Sequence, residues 1–335
     1  MVGYWSIVKS IPGTSSTLEW LTPNFFLPLC RNRMTKKSRN WVMVLLSIPL
    51  TAILAVIGLL FFDAVRPLPP LSPLPNPNGY DDLVKAGEMA DKNTGNYTEM
   101  KLVELRGLVA KNSDALQAAR AGLQEDCAVP LQFSQNWGSR HLPELADFKR
   151  LAQAFAVEGR VAEMENRPGD AVKSYLDAIR LENKSARGGI LIDQLVGTAI
   201  EAIGTAGLQK LVDQLDAKTC REAAATLETL DAQGQTWKEV MQQEDAWSRR
   251  TFTSLSYRIY RPLLSKMSVK ARQAGERRFN KGQIMKRRLL VDLAARAYEL
   301  ENGCCPASVA DLVPDYLKAV PKDPVNGKTM VYSPR

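Results

Sequence analysis

The longest uninterrupted apolar run is WVMVLLSIPLTAILAVIGLLFF, Trp41–Phe62, 22 residues without a charge. As a helix it would span about 33 Å, enough for a hydrocarbon core of about 30 Å. Its length and its lack of a polar face predict a membrane-spanning helix, because only a helix satisfies all its backbone groups within one segment. Next, RPLPPLSPLPNPN, residues 66–78, holds six prolines and predicts a semi-rigid polyproline spacer. From Gly79 the apolar positions recur at a spacing of three to four. Tyr80, Leu83, Val84 and Gly87 share one helix face. The same period predicts helices over about 99–111, 114–125, 143–165, 169–182, 189–215, 219–247 and 284–301. Ser113 is read as an N-cap after Asn112, and Pro143 as a first-turn proline. β-Branched alternation is scarce until Lys328–Tyr332, where Met330–Tyr332 predicts one small strand. The predicted fold class is mainly α.

Charge sharpens this division. Net charge is +8, but residues 1–67 carry +5, 68–248 carry −8, 249–288 carry +12 and 289–335 carry −1. Arg31, Arg33, Lys36, Lys37 and Arg39 precede the apolar run, and only Arg66 follows closely. This asymmetry predicts a cytoplasmic N-terminus and places the residues after 62 outside the cytoplasm. The run is too long for a cleaved signal peptide and ends in Phe-Phe-Asp, so an uncleaved anchor is expected. Residues 1–33 show little periodicity, and Met34 looks like a natural start. They are read as an upstream extension or a cytoplasmic tail. The expected organisation is a tail at 1–40, a span at 41–62, a linker at 63–78, a helical domain at 79–283 and a C-terminal module at 284–335.

Residues 249–288 set 13 cations against one acid. Candidate contacts to an anionic surface, lipid head groups or an envelope polymer, are Arg249, Arg250, Arg258, Arg261, Lys270, Arg272, Arg277, Arg278, Lys286, Arg287 and Arg288. The alternatives are a solvated helix face or pairing with the acidic 68–248 region. Nucleic acid is disfavoured by the predicted topology. Outside the cytoplasm, Cys127, Cys220, Cys304 and Cys305 would either form disulfides or remain free thiols.

The chain has no CxxC pair and a single histidine, His141, read as a polar loop residue. That argues against zinc sites and HExxH proteases. No phosphate-binding glycine loop, G-x-S-x-G elbow or kinase motif is present. No catalytic residue, metal or cofactor is expected.

Two stretches resemble known families. In LAQAFAVEGRVAEMENRPGDAVKSYLDAIRLENK, the pattern Gly159, Ala171, Tyr175, Ala178 resembles one tetratricopeptide unit. The resemblance implies a helical hairpin with an aromatic ring between small residues, either alone or within a short peptide-binding array. LAARAYELENGCCPASVADLVPDYLKAVPKDPVNGKTMVYSP is similar to the C-terminal module of type II secretion pseudopilins. It matches at Asn302-Gly303, Pro306, Leu312, Tyr316-Leu317, Pro321, Asp323-Pro324, Asn326-Gly327 and Tyr332. The resemblance implies a helix ended by Gly303, a short helix from Pro306, docking of Leu312 and Leu317, and a turn before a strand. Some pseudopilins bind calcium near this loop, but Asp323 and Asn326 are few against the six or more ligands that calcium takes. The processing motif of a pseudopilin is missing, and about 220 residues separate the apolar run from the module. The expected function is that of a non-enzymatic, membrane-anchored envelope protein that binds or scaffolds other proteins. The alternatives are an accessory part of a type II secretion or pilus-like system, or an envelope hydrolase.

Overall fold

The computed structural model describes residues 73–92, 96–253 and 255–332 and scattered positions between 51 and 70, with side chains in the last long helix described from 269 onward. The chain divides into two units, residues 1–65 and 66–335. In the first, Thr51, Ile53–Ala55 and Gly58 are helical, and Ile53 and Leu54 are more than half exposed. No helix among the described residues is long and apolar enough to cross a membrane, and the expected span at 41–62 lies mostly outside them.

The second unit is mainly α. Its helices are α1 (Gly79–Met89), α2 (Leu102–Lys111), α3 (Ser113–Gln124), α4 (Trp137–Met164), α5 (Pro168–Ser185), α6 (Leu191–Leu211), α7 (Ala217–Gln233), α8 (Trp237–Thr251) and α9 (Leu255–Asn302). Short 3-10 turns cover Val212–Gln214 and Val309–Leu312. One core cluster gathers Tyr80, Leu83, Leu116, Phe148 and Phe155 from α1, α3 and α4. A second gathers Ile179, Leu208, Leu227, Leu289 and Leu293 from α5, α6, α7 and α9. Helices α4, α5 and α6 pack in sequence order and join the two clusters.

The α5–α6 seam depends on close approach. The Tyr175 ring lies against α4 and α6 where both lack a side chain. A Cβ on Gly159 would come within 2.8 Å of the ring, and one on Gly207 within 2.2 Å. Ala171 and Ala178, on the same helix as Tyr175, are fully buried. Between α4 and α5, Asn166 has a positive φ of 56°, a conformation that asparagine tolerates better than most residues.

Several boundaries differ from the sequence reading. Pro143 does not open α4; the helix begins six residues earlier at Trp137. Pro143 gives up one backbone bond there, and burial of Trp137 and His141 offsets the loss. The 219–247 stretch is two helices, because the Thr236–Glu239 capping box starts α8 afresh. The last helix is 48 residues long, not 18. Gly275 and Gly282 do not break it. They lie at tight crossings, where added Cβ atoms would meet Trp237 at 3.2 Å and Thr198 at 2.9 Å.

The C-terminal module also departs from expectation. Gly303, with φ of 71°, follows the end of α9. The next helical turn begins after Ser308, not at Pro306. Leu312 and Leu317 are buried in the second core cluster. Met330–Tyr332 forms no strand. The described residues contain only an isolated bridge between Lys322 and Thr329, closing a loop in which Asp323 N–H donates to the Lys328 carbonyl at 2.8 Å. With one bridge and no second ladder pair, the segment stays irregular.

A matched pair of variants tests the seam. Gly207→Ala should lower stability by about 1–3 kcal/mol through overpacking against Tyr175. Gly107→Ala, in α2 with open space around it, should be neutral or stabilising by up to about 1 kcal/mol. Urea denaturation measures both, and an unchanged midpoint for Gly207→Ala would contradict the packing.

Candidate functional site

Two buried polar clusters hold the helices together. The first centres on His141, which lies in α4 and is 2% exposed, not in a polar loop as its sequence context predicts. Trp137, His141 and Glu144 share one face of α4 at a spacing of four and three. The imidazole stacks on Trp137 with centroids 4.3 Å apart. Its Nε2 lies 2.5 Å from Asp193 Oδ1, and its Nδ1 lies 2.8 Å from Glu144 Oε2. Tyr80 Oη, from α1, donates to the same Glu144 oxygen at 3.1 Å.

The other oxygen of Asp193 works at the start of α6. The Ile190 N–H donates to Oδ2 at 2.7 Å, and the Leu191 N–H donates to Glu244 of α8 at 3.0 Å. These are free N–H groups of a helix start, which carboxylates satisfy well. His141 therefore joins a capping carboxylate of α6 to the face of α4.

Burial alone would lower the His141 pKa. Hydrogen bonds to Asp193 and Glu144 outweigh it and hold the ring up at about 9. Both nitrogens face carboxylates, so the ring is an imidazolium donating twice. With no free lone pair, it positions helices and does not accept protons. Burial, followed by the charge of Glu144, also pushes the Tyr80 hydroxyl well above its ordinary value.

The second cluster centres on Lys286 of α9. Its Nζ lies 2.9 Å from Glu201 Oε2 in α6 and 3.8 Å from Asp231 Oδ1 in α7. Arg287 donates to Asp231 at 2.9 Å and to the Lys322 carbonyl at 2.5 Å, tying in the C-terminal loop. Burial opposes the Lys286 charge, but Glu201 and Glu182 restore it and raise the pKa. Glu182 shares this cluster. Burial and the Glu201 charge push its carboxyl up, against the pull of Lys286.

This arrangement divides the cationic candidates. Lys286 is corrected from a surface contact to a core ion-pair partner with 2% exposure. Arg287 is half-buried and engaged. Arg249 and Arg250 close α8 half-buried, and the Arg250 guanidinium lies 5.5 Å from the Phe133 ring centroid. Arg258 and Arg261 fall in the part of α9 whose side chains are outside the described set. Lys270, Arg272, Arg277, Arg278 and Arg288 are exposed. The four candidate cysteines are free thiols: Cys127 and Cys220 are buried in different core clusters, and Cys304 and Cys305 are exposed.

Two shallow grooves accompany these clusters. One of about 360 Å³ runs between α9 and the C-terminal loop, lined by Arg277, Asn280, Lys281, Ile284 and Val325 among others. Another of about 390 Å³ lies beside α4, lined by Glu88, Lys92, Pro143, Asp147 and Arg150. No group of three or more candidate metal ligands occurs among the described residues. No family model, curated protein or solved structure matches the chain.

The raised His141 pKa stabilises the fold fully below pH 6.5, and the effect is lost as pH rises through about 9. The stability gap between the wild type and His141→Gln should therefore shrink between pH 6 and pH 10, by up to about 3 kcal/mol. Denaturation at stepped pH reads this, and a constant gap would contradict the imidazolium. Lys286→Met should cost about 3–5 kcal/mol, because it strands buried carboxylates. Lys281→Met, on the exposed side of the same helix, should change stability by less than about 0.5 kcal/mol.

Proposed function

We propose that the chain is a single-pass, membrane-anchored envelope protein whose helical domain binds or scaffolds other proteins and carries out no chemistry of its own. The apolar run Trp41–Phe62, flanked on one side by five cations, carries this reading. The N-terminus is cytoplasmic and residues beyond the run are periplasmic. The prolines at 66–78 form the spacer to the helical domain. The non-enzymatic part of the reading is supported by the double engagement of His141, which leaves the chain's one imidazole without a free nitrogen.

A second reading is a part in a type II secretion or pilus-like system. It is favoured by the module after α9, where Leu312 and Leu317 dock on the helix and Gly303 turns the chain.

Paired reporter fusions at the C-terminus test the topology. Alkaline phosphatase should be active and a cytoplasm-dependent fluorescent protein dark. The reverse pattern would overturn the anchor orientation. Crosslinking in intact cells separates the two readings, since secretion or pilus components should dominate the captured partners under the second.

A further inference from the structure

Helix α9 is a long cationic element with two unlike faces. Phe279, Lys286, Leu289 and Leu293 lie inward, and Gly275 and Gly282 let that side approach α8 and α6. Lys270, Arg277, Lys281 and Arg288 follow at spacings of seven, four and seven residues. At about 100° per residue they fall within about 40° of one another, on the side opposite the buried face. All four are exposed, and none has an ion pair among the described residues. From first to last the row extends about 27 Å. Between them α9 carries a single carboxylate, Glu276, which is half-buried on the flank. Beside the row stand two exposed apolar side chains, Met285 at 42% and Val325 at 66%.

We propose that this row of cations docks the helical domain on an anionic lipid surface, with phosphate or carboxylate head groups as its ligands. The charges are complementary. A head-group lattice offers each cation its own anion over a length of several lipids, without ordering a flexible partner chain. Met285 and Val325 are placed to rest among the head groups, where apolar side chains next to cations are favoured. Each cation near such a surface contributes about a fivefold factor in partitioning, so four together give a strong and salt-sensitive association. The proposal goes beyond the anchor and does not depend on it.

The test uses the full chain with preformed vesicles, neutral or about one-third anionic lipid, and measures acylation rates of individual lysines by mass spectrometry. Lys270 and Lys281 are the reporters; the exposed Lys173 and Lys218 are controls. Labelling of the reporters should slow at least fivefold with anionic vesicles alone and recover at high salt. The controls should not change. Arg277→Glu/Arg288→Glu, which alters exposed residues and keeps both reporters, should abolish the effect. Equal reporter rates with both lipids overturn the proposal. Protection that is the same with neutral vesicles and insensitive to salt overturns it as well. Protection by added polyglutamate but not by vesicles replaces the lipid with an acidic polypeptide. Carbonate extraction of the same vesicles reads the anchor separately, so failure of one reading is distinguishable from failure of the other.

Discussion

The rotation of α9 about its own axis is fixed by one buried charge. Lys286 lies in a run of three cations, Lys286–Arg288, yet it points inward to Glu201 and Asp231 while Arg288 points out. An ion buried this deeply is tolerated only with its partners in place. Once Lys286 is seated, the helical period puts Phe279 and Leu293 in the core and Lys270, Arg277 and Lys281 in solvent. Gly282, one turn before Lys286, lets the backbone come close enough to Thr198 and Glu201 for the pair to form.

The same logic recurs at the other end of the domain. His141 ties α4 to the capping carboxylate of α6, and Tyr80 brings in α1 through the shared Glu144. Helix α6 is thus held at its start by Asp193 and Glu244 and near its middle by Glu201. Beyond these points, towards the end of the helix, Gly207 lies against the Tyr175 ring. A helix so fixed at three levels can position α4, α5 and α9 around it with little freedom of register.

The sequence shows the helices well and the polar clusters poorly. Apolar spacing marks α3 and α5 to within a few residues, because their buried faces are regular. The start of α4 is hidden by Pro143, whose usual meaning is a first turn, and the full length of α9 is hidden by its cations and glycines. His141 has one partner three residues away, visible in the sequence as Glu144, but the decisive one, Asp193, is 52 residues distant. The pattern Trp137–His141–Glu144 on one helical face was a usable signal of burial. Lys286 was legible too, since it lies seven residues after Phe279 and three before Leu289, both core positions. Reading the segment as one cationic block concealed its two faces.

Spin labels placed singly along residues 269–290 would test the central claim, the register of α9, most directly. Mobility should oscillate with a period of about 3.6 residues, lowest at 279, 289 and 290 and highest at 270, 277, 281 and 288. A flat profile, or a label at 279 as mobile as one at 281, would contradict the account.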